Sequence, residues 1–212
     1  MKIIHNTVMD DKFIVVDNWY NSEELKSVWK ELDFHAQTQE LPRASENLTI
    51  TGVDKTKSGY VSQAHCYRIY LDSFYSREKR NISPILNGTK KFINQDMYKK
   101  ISKIRMGRQF PETNSDSTMI SYYEDGDHFV SHFDVFQFTV LIWLYKEPKG
   151  FEGGDLIFDD WGKKVEIKNN RMVLFPSYYL HRVDKIKMKT KDKFMGRYAI
   201  THFFYTVPTG TT

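Results

Sequence analysis

From Thr118 to Tyr205 the chain reads as a series of short strands, and this series limits the possible fold more than any other feature. Thr118 to Tyr123 is extended, Phe138 to Tyr145 is a buried run of branched and aromatic residues, Gly154 to Phe158 is short, and Arg197 to Tyr205 closes the set. Lys163 to Lys168 and Met172 to Phe175 flank Asn169-Asn170, which predicts a hairpin because asparagine tolerates positive φ. The first half differs. Asn21 and Glu24 stand at capping-box spacing ahead of Leu25, Val28, Trp29 and Leu32, a stripe at helical intervals. Ser83-Pro84 supplies an N-cap and a first-turn proline, Gly88 weakens the helix that follows, and Gln95 to Ile104 adds further helical turns. Helices first and many short strands later indicate an α+β protein. The expectation is one domain, with helical support over roughly 1–110 and a double-stranded β-helix (jelly roll) core over roughly 118–206.

Three stretches resist this pattern. Gln37 to Ser62 is polar, with Pro42, Gly52 and Gly59 among scattered Leu48 and Ile50, and is expected to be either a functional cover or a surface loop. Tyr67 to Ser76 alternates poorly and reads as helix or as a loop with aromatic anchors; Phe110 to Ser117 reads as loop. At 40% hydrophobic content, 212 residues can bury one good core. The lone Cys66 leaves no internal disulfide and no thiolate zinc cluster. Met1 to Asn6 lacks an apolar signal core and no run approaches a membrane span, so a soluble, cytoplasmic protein is expected.

The chemistry is concentrated around Ser121 to Asp134. His132 and Asp134 are two residues apart, so on an extended backbone both side chains leave one face and can reach one ion. His181, after the Met172 to Phe175 run, is the best third ligand. Two imidazoles and a carboxylate on one side of a metal suit ferrous iron, which must also bind a co-substrate and dioxygen. Gly196-Arg197-Tyr198-Ala199-Ile200-Thr201 then opens the last strand with a guanidinium on the face of Ala199 and Thr201; such a fork suits a carboxylate. His202 should face the opposite side, His128 lies on the loop before the ligands, and His5, His35 and His65 have no evident partner.

Tyr123-x-x-Gly126-x-x-Phe129-x-x-His132-x-Asp134, Gly153-Gly154-x-Leu156, His181 and Arg197-Tyr-Ala-Ile-Thr201 together resemble the prolyl-hydroxylase branch of the iron- and 2-oxoglutarate-dependent oxygenases, over roughly Thr118 to Tyr205. The resemblance implies a jelly roll, Fe(II), 2-oxoglutarate and O2, with ascorbate in support. It implies His132, Asp134 and His181 as metal ligands, Arg197 on the far carboxylate of 2-oxoglutarate, and Tyr123 and Thr201 lining the co-substrate pocket. Where relatives present a tyrosine on the neighbouring strand this chain has Trp143, whose indole donates in another geometry. The implied reaction is hydroxylation of a prolyl residue in a peptide or protein, with release of succinate and CO2.

Three other readings follow from the same residues. Hydroxylation of a free amino acid or other small molecule uses the same site. Nucleic-acid demethylation is disfavoured because Phe203 stands where repair relatives have a second arginine and no basic groove is visible. A non-catalytic jelly-roll binding module is disfavoured by the retained ligands and Arg197. Lys185, Lys187, Lys189, Lys191 and Lys193, between His181 and Arg197, read as a solvated hairpin, with steering of an acidic substrate as the minor alternative.

Overall fold

The computed structural model describes residues 7–38, 41–48 and 51–208. Met1 to Asn6, with His5 and the expected absence of a signal core, and Ile50 lie outside the described residues. The chain opens with β1 (Thr7–Met9) and β2 (Ile14–Asp17), then α1 (Ser22–Asp33) running into a π-helical turn at Phe34–Thr38. An exposed hairpin of β3 (Val53–Thr56) and β4 (Gly59–Ser62) follows, then β5 (Ala64–His65), β6 (Tyr67–Tyr70), α2 (Pro84–Asn87) and α3 (Gln95–Ile101), with 3-10 turns between. The second half comprises β7 (Ser115–Tyr123), β8 (His128–His132), β9 (Phe138–Leu144), β10 (Phe151–Glu152) and β11 (Leu156–Phe158). It ends with β12 (Lys163–Val165), β13 (Arg171–Pro176), β14 (His181–Val183), β15 (Lys187–Met188) and β16 (Arg197–Tyr205).

Two antiparallel sheets face each other. The major sheet has the order β1-β2-β13-β9-β16-β7-β6 and the minor one β12-β11-β14-β8-β5. Strand alternation divides the core between two layers. Val16, Ile120, Ile142, Leu174 and Ile200 of the major sheet pack beneath the helices, whereas Val15, Leu141, Trp143, Val173 and Ala199 face Leu156, Phe158 and Val183 of the minor sheet. This is the α+β, double-stranded β-helix architecture. Helix α1 begins as its sequence dictates, with Asn21 accepting from Glu23 and Glu24 N–H and Glu24 returning to Asn21 N–H. Val28 and Leu32 are buried, and Trp29 meets Tyr198 edge-on at 5.2 Å. Glu31, also on the buried side, accepts from Ser83 Oγ at 2.6 Å and Ile85 N at 2.9 Å, which ties α1 to the cap of α2.

Several expectations are corrected. Tyr67 to Tyr70 is a strand, because its edge pairs with β7 and with the backbone at Arg43. The irregular Gln37 to Ser62 contains the β3–β4 hairpin, and β7 starts at Ser115, inside the expected loop. Asn170 does hold positive φ (58°), yet no hairpin forms: β12 pairs with β11 in the minor sheet while β13 pairs with β9 and β2 in the major one. Asn170 instead clasps Tyr20, accepting from its N–H and donating to its carbonyl. The five lysines are exposed, but Lys187–Met188 pair with β10, so the segment does not close on itself. Among the described residues no helix is long and apolar enough to cross a membrane.

His202 faces the helical layer, fully buried, with Nδ1 2.9 Å from Thr118 Oγ1. Burial pushes its pKa down to about 3. Below the ordinary histidine value of roughly 6.5 the unfolded chain therefore takes a proton that the native state refuses, so this stability is complete above that pH and declines as the pH falls toward 3. By pH 5 the loss is on the order of 2 kcal/mol. Denaturant titrations at pH 7.5 and pH 5 should show that loss, and His202→Gln, which cannot titrate, should shrink it; an undiminished loss would assign the acid sensitivity elsewhere, such as to buried His35.

Candidate metal and co-substrate site

His132 ends β8 and lies directly across the ladder from His181, the first residue of β14. Asp134 follows two residues later, its N–H donating to Ser177 O at 2.9 Å. Asp134 Oδ1 is 3.6 Å from His132 Nε2 and its Oδ2 is 3.6 Å from His181 Nε2. One ligand atom from each residue lies within 4.8 Å of the others. Neighbouring ligands about 2.1 Å from an ion are roughly 3 Å apart, so a small contraction suffices.

The surroundings prepare these atoms. Each imidazole uses Nδ1 on a backbone carbonyl, His132 on Val130 and His181 on Tyr179, both at 2.8 Å. Nδ1 must then carry the proton, leaving the Nε2 lone pair toward Asp134. Burial, joined by the nearby His181, lowers the His132 pKa to about 4, which favours the neutral ring that a metal needs. Phe129 stacks on His132 at 3.6 Å, and Phe175 meets His181 edge-on at 4.9 Å. Thr139 Oγ1 donates to Asp134 Oδ2 at 2.6 Å and also contacts Ser177 Oγ. Thr139→Val should leave the fold in place but let Asp134 rotate, weakening Fe(II) or Mn(II) affinity about tenfold in anaerobic titration calorimetry; unchanged affinity would show that the backbone alone holds this carboxylate.

Arg197 begins β16 opposite Tyr123 and is only 1% exposed. Its Nε donates to Gly154 O at 3.0 Å, and its Cζ lies 4.7 Å from the Tyr123 ring centre and 5.6 Å from that of Trp143. Nη1, Nη2 and Trp143 Nε1 are buried without a hydrogen-bond partner among the described residues. Burial draws the Arg197 pKa below the usual arginine value. Gly154 (φ +78°) permits the close approach, since a Cβ there would come within 2.9 Å of Arg197 Cδ. Two desolvated N–H groups without acceptors fit the far carboxylate of a dicarboxylic acid.

A cavity of about 320 Å³ opens on His132 and Asp134 and is walled by Arg68, Tyr70, Met119 and Phe203. Thr201 is buried on the face of Arg197, but neither it nor Tyr123 lines this cavity. Trp161 stacks on Phe158 and meets Tyr179 edge-on, so these aromatics are core. His65 and His128 stack on each other at 4.3 Å, brought together by the pairing of β5 with β8. Sequence reading also missed Arg68 and Thr139. For Arg68 the signal was present: once Tyr67 to Tyr70 is a strand, a cation sits at an inward position.

Two histidines and an aspartate converging inside a jelly roll are a ligand set that suits non-haem ferrous iron. Residues 118–205 match the model of the 2OG-Fe(II) oxygenase superfamily, a likeness that points to Fe(II), 2-oxoglutarate and O2 as the requirements of such a site. A search of curated proteins gave no significant match. Among solved structures, a Pseudomonas putida prolyl-4-hydroxylase is similar at 14% identity, covering 93% of this chain and 94% of its own, with a TM-score of 0.56. The viral collagen prolyl hydroxylase of Paramecium Bursaria Chlorella virus-1, solved with 2OG, is similar at 13% identity, covering 93% and 97%, with a TM-score of 0.52. A Burkholderia pseudomallei oxidoreductase of the 2OG-Fe(II) oxygenase family gives 12% identity, coverage of 92% and 85%, and a TM-score of 0.52. These likenesses establish the shared fold.

Proposed function

We propose that the protein hydroxylates prolyl residues in a peptide or protein, with His132, Asp134 and His181 holding ferrous iron and Arg197 holding 2-oxoglutarate. The observation that carries this reading is the pairing of three convergent ligand atoms with a buried guanidinium whose terminal nitrogens have no acceptor. Bound iron and 2-oxoglutarate supply the oxidising chemistry, in which O2 is consumed, 2-oxoglutarate becomes succinate and CO2, and one oxygen atom enters a C–H bond. The protein's own groups bind and orient. Asp134, steadied by Thr139, and the two imidazoles, steadied by backbone carbonyls, fix the ligand set; Arg197 fixes the far end of the co-substrate, with Tyr123 and Trp143 packed around it and Thr201 further along the same strand face.

A peptide is favoured by the rim of the cavity, where Phe133 and Val135 are 61% and 85% exposed beside the ligands. Apolar side chains left in water at a site mouth suit an extended chain. Succinate formation from 2-oxoglutarate with Fe(II) and ascorbate under air, with and without a proline-rich peptide, tests the assignment. Peptide-stimulated succinate with a gain of about 16 Da on proline is expected. Succinate that ignores the peptide would redirect the search to a free amino acid, and none at all would favour a binding module.

A further inference from the structure

The cavity that reaches the proposed metal ligands contains a fixed cation that no carboxylate among the described residues neutralises. Arg68 on β6 is 3% exposed, yet no carboxylate pairs with it among the described residues. Its Nη2 donates to Cys66 Sγ at 3.3 Å, a weak acceptor, and Nε has no partner. Directly across the ladder, Ser121 Oγ is likewise buried and unpartnered. A desolvated guanidinium left this way is costly unless an anion answers it.

Its position says which anion. The guanidinium lies 4.8 Å from the centre of the Phe129 ring, and Phe129 itself stacks on His132, so cation, phenyl and metal-ligand imidazole succeed one another along one wall. Besides Arg68, the charged or titratable groups lining this cavity are Tyr70, a neutral phenol, and His132 and Asp134, both assigned above as ligands; Arg197 does not line it. With one carboxylate of 2-oxoglutarate at the metal and the other on Arg197, the co-substrate leaves Arg68 unused. The geometry points to an anionic primary substrate: Arg68 receives a carboxylate on the molecule being hydroxylated and so selects which C–H bond faces the metal. This rests on the reading of the metal ligands and Arg197 given above. The carboxylate belongs either to a free amino acid or chain end, or to an acidic side chain next to the target.

The test uses enzyme loaded anaerobically with Fe(II) and saturating 2-oxoglutarate, following the visible charge-transfer band of the iron–2-oxo acid chelate. L-proline is titrated against L-prolinamide, and acetyl-Glu-Pro-N-methylamide against acetyl-Gln-Pro-N-methylamide. In one pair the carboxylate member should perturb the band at about 10- to 100-fold lower concentration, as a charge-assisted hydrogen bond predicts; which pair responds identifies the source of the carboxylate. Arg68→Gln should abolish the preference and Arg68→Lys should keep part of it, with 2-oxoglutarate affinity within about twofold of wild type in both. A wild type that distinguishes neither pair overturns the assignment, as does a preference that survives Arg68→Gln. If the glutamine variant fails to form the band, an undiminished preference in the lysine variant has the same force. Loss of 2-oxoglutarate affinity as large as that caused by Arg197→Met would make Arg68 a co-substrate residue instead. A wild type that forms no band defeats the metal and co-substrate reading, and the role of Arg68 with it.

Discussion

Arg197→Met is expected to weaken 2-oxoglutarate binding at least 30-fold while leaving the unliganded protein as stable as before or more so. The two effects share one cause. Arg197 is buried with Nη1 and Nη2 unpartnered, so the native state already bears the cost of desolvating a cation. A thioether of similar length removes that cost, and replacing buried charge by apolar volume is often neutral or stabilising. In the complex, removing one member of a buried, hydrogen-bonded charge pair costs roughly 2–5 kcal/mol, which sets the fold-change. Denaturation midpoints with and without 2-oxoglutarate read both at once. Unchanged affinity would mean that another cation, such as the buried Arg68, holds the far carboxylate.

His132→Ala should lower Fe(II) affinity by more than about 100-fold and abolish 2-oxoglutarate turnover, since even the outer partners of metal ligands are worth roughly 10- to 100-fold. Far-UV circular dichroism should be unchanged, because the ring closes no hydrogen bond of the sheet; its contacts include Phe129, Asp134, His181 and the Val130 carbonyl. Equilibrium dialysis with Mn(II) measures the metal directly. Retained affinity would remove His132 from the ligand set.

Much of this was legible in the sequence because it depended on local rules. The Asn21–Glu24 cap, the Ser83-Pro84 start, the boundaries of the last strand and the opposite facing of His202 follow from spacing alone. Tyr67 to Tyr70 was not legible because it is an edge strand whose conformation comes from pairing with β7, a partner roughly fifty residues away in sequence. Asn169-Asn170 misled for a related reason: the residue preference for positive φ was right, but where the chain goes next is set by which sheet has room for β13. In the site, the proposed ligands were legible by residue type and spacing, whereas Thr139 and Ser177, ordinary hydroxyl residues, acquire their importance only by meeting Asp134 in space.

His132 and His181 stand opposite each other on β8 and β14, a bridge that the ladder interrupts with an irregularity before Val183. Side chains on a strand change face at every step, so a slip of β14 by one residue would turn the second imidazole out of the barrel and leave a site of two ligands. Metal affinity is thus a ruler for strand alignment. Chains refolded with these two strands out of step would separate from native ones on an immobilised-metal column, without any assay of catalysis.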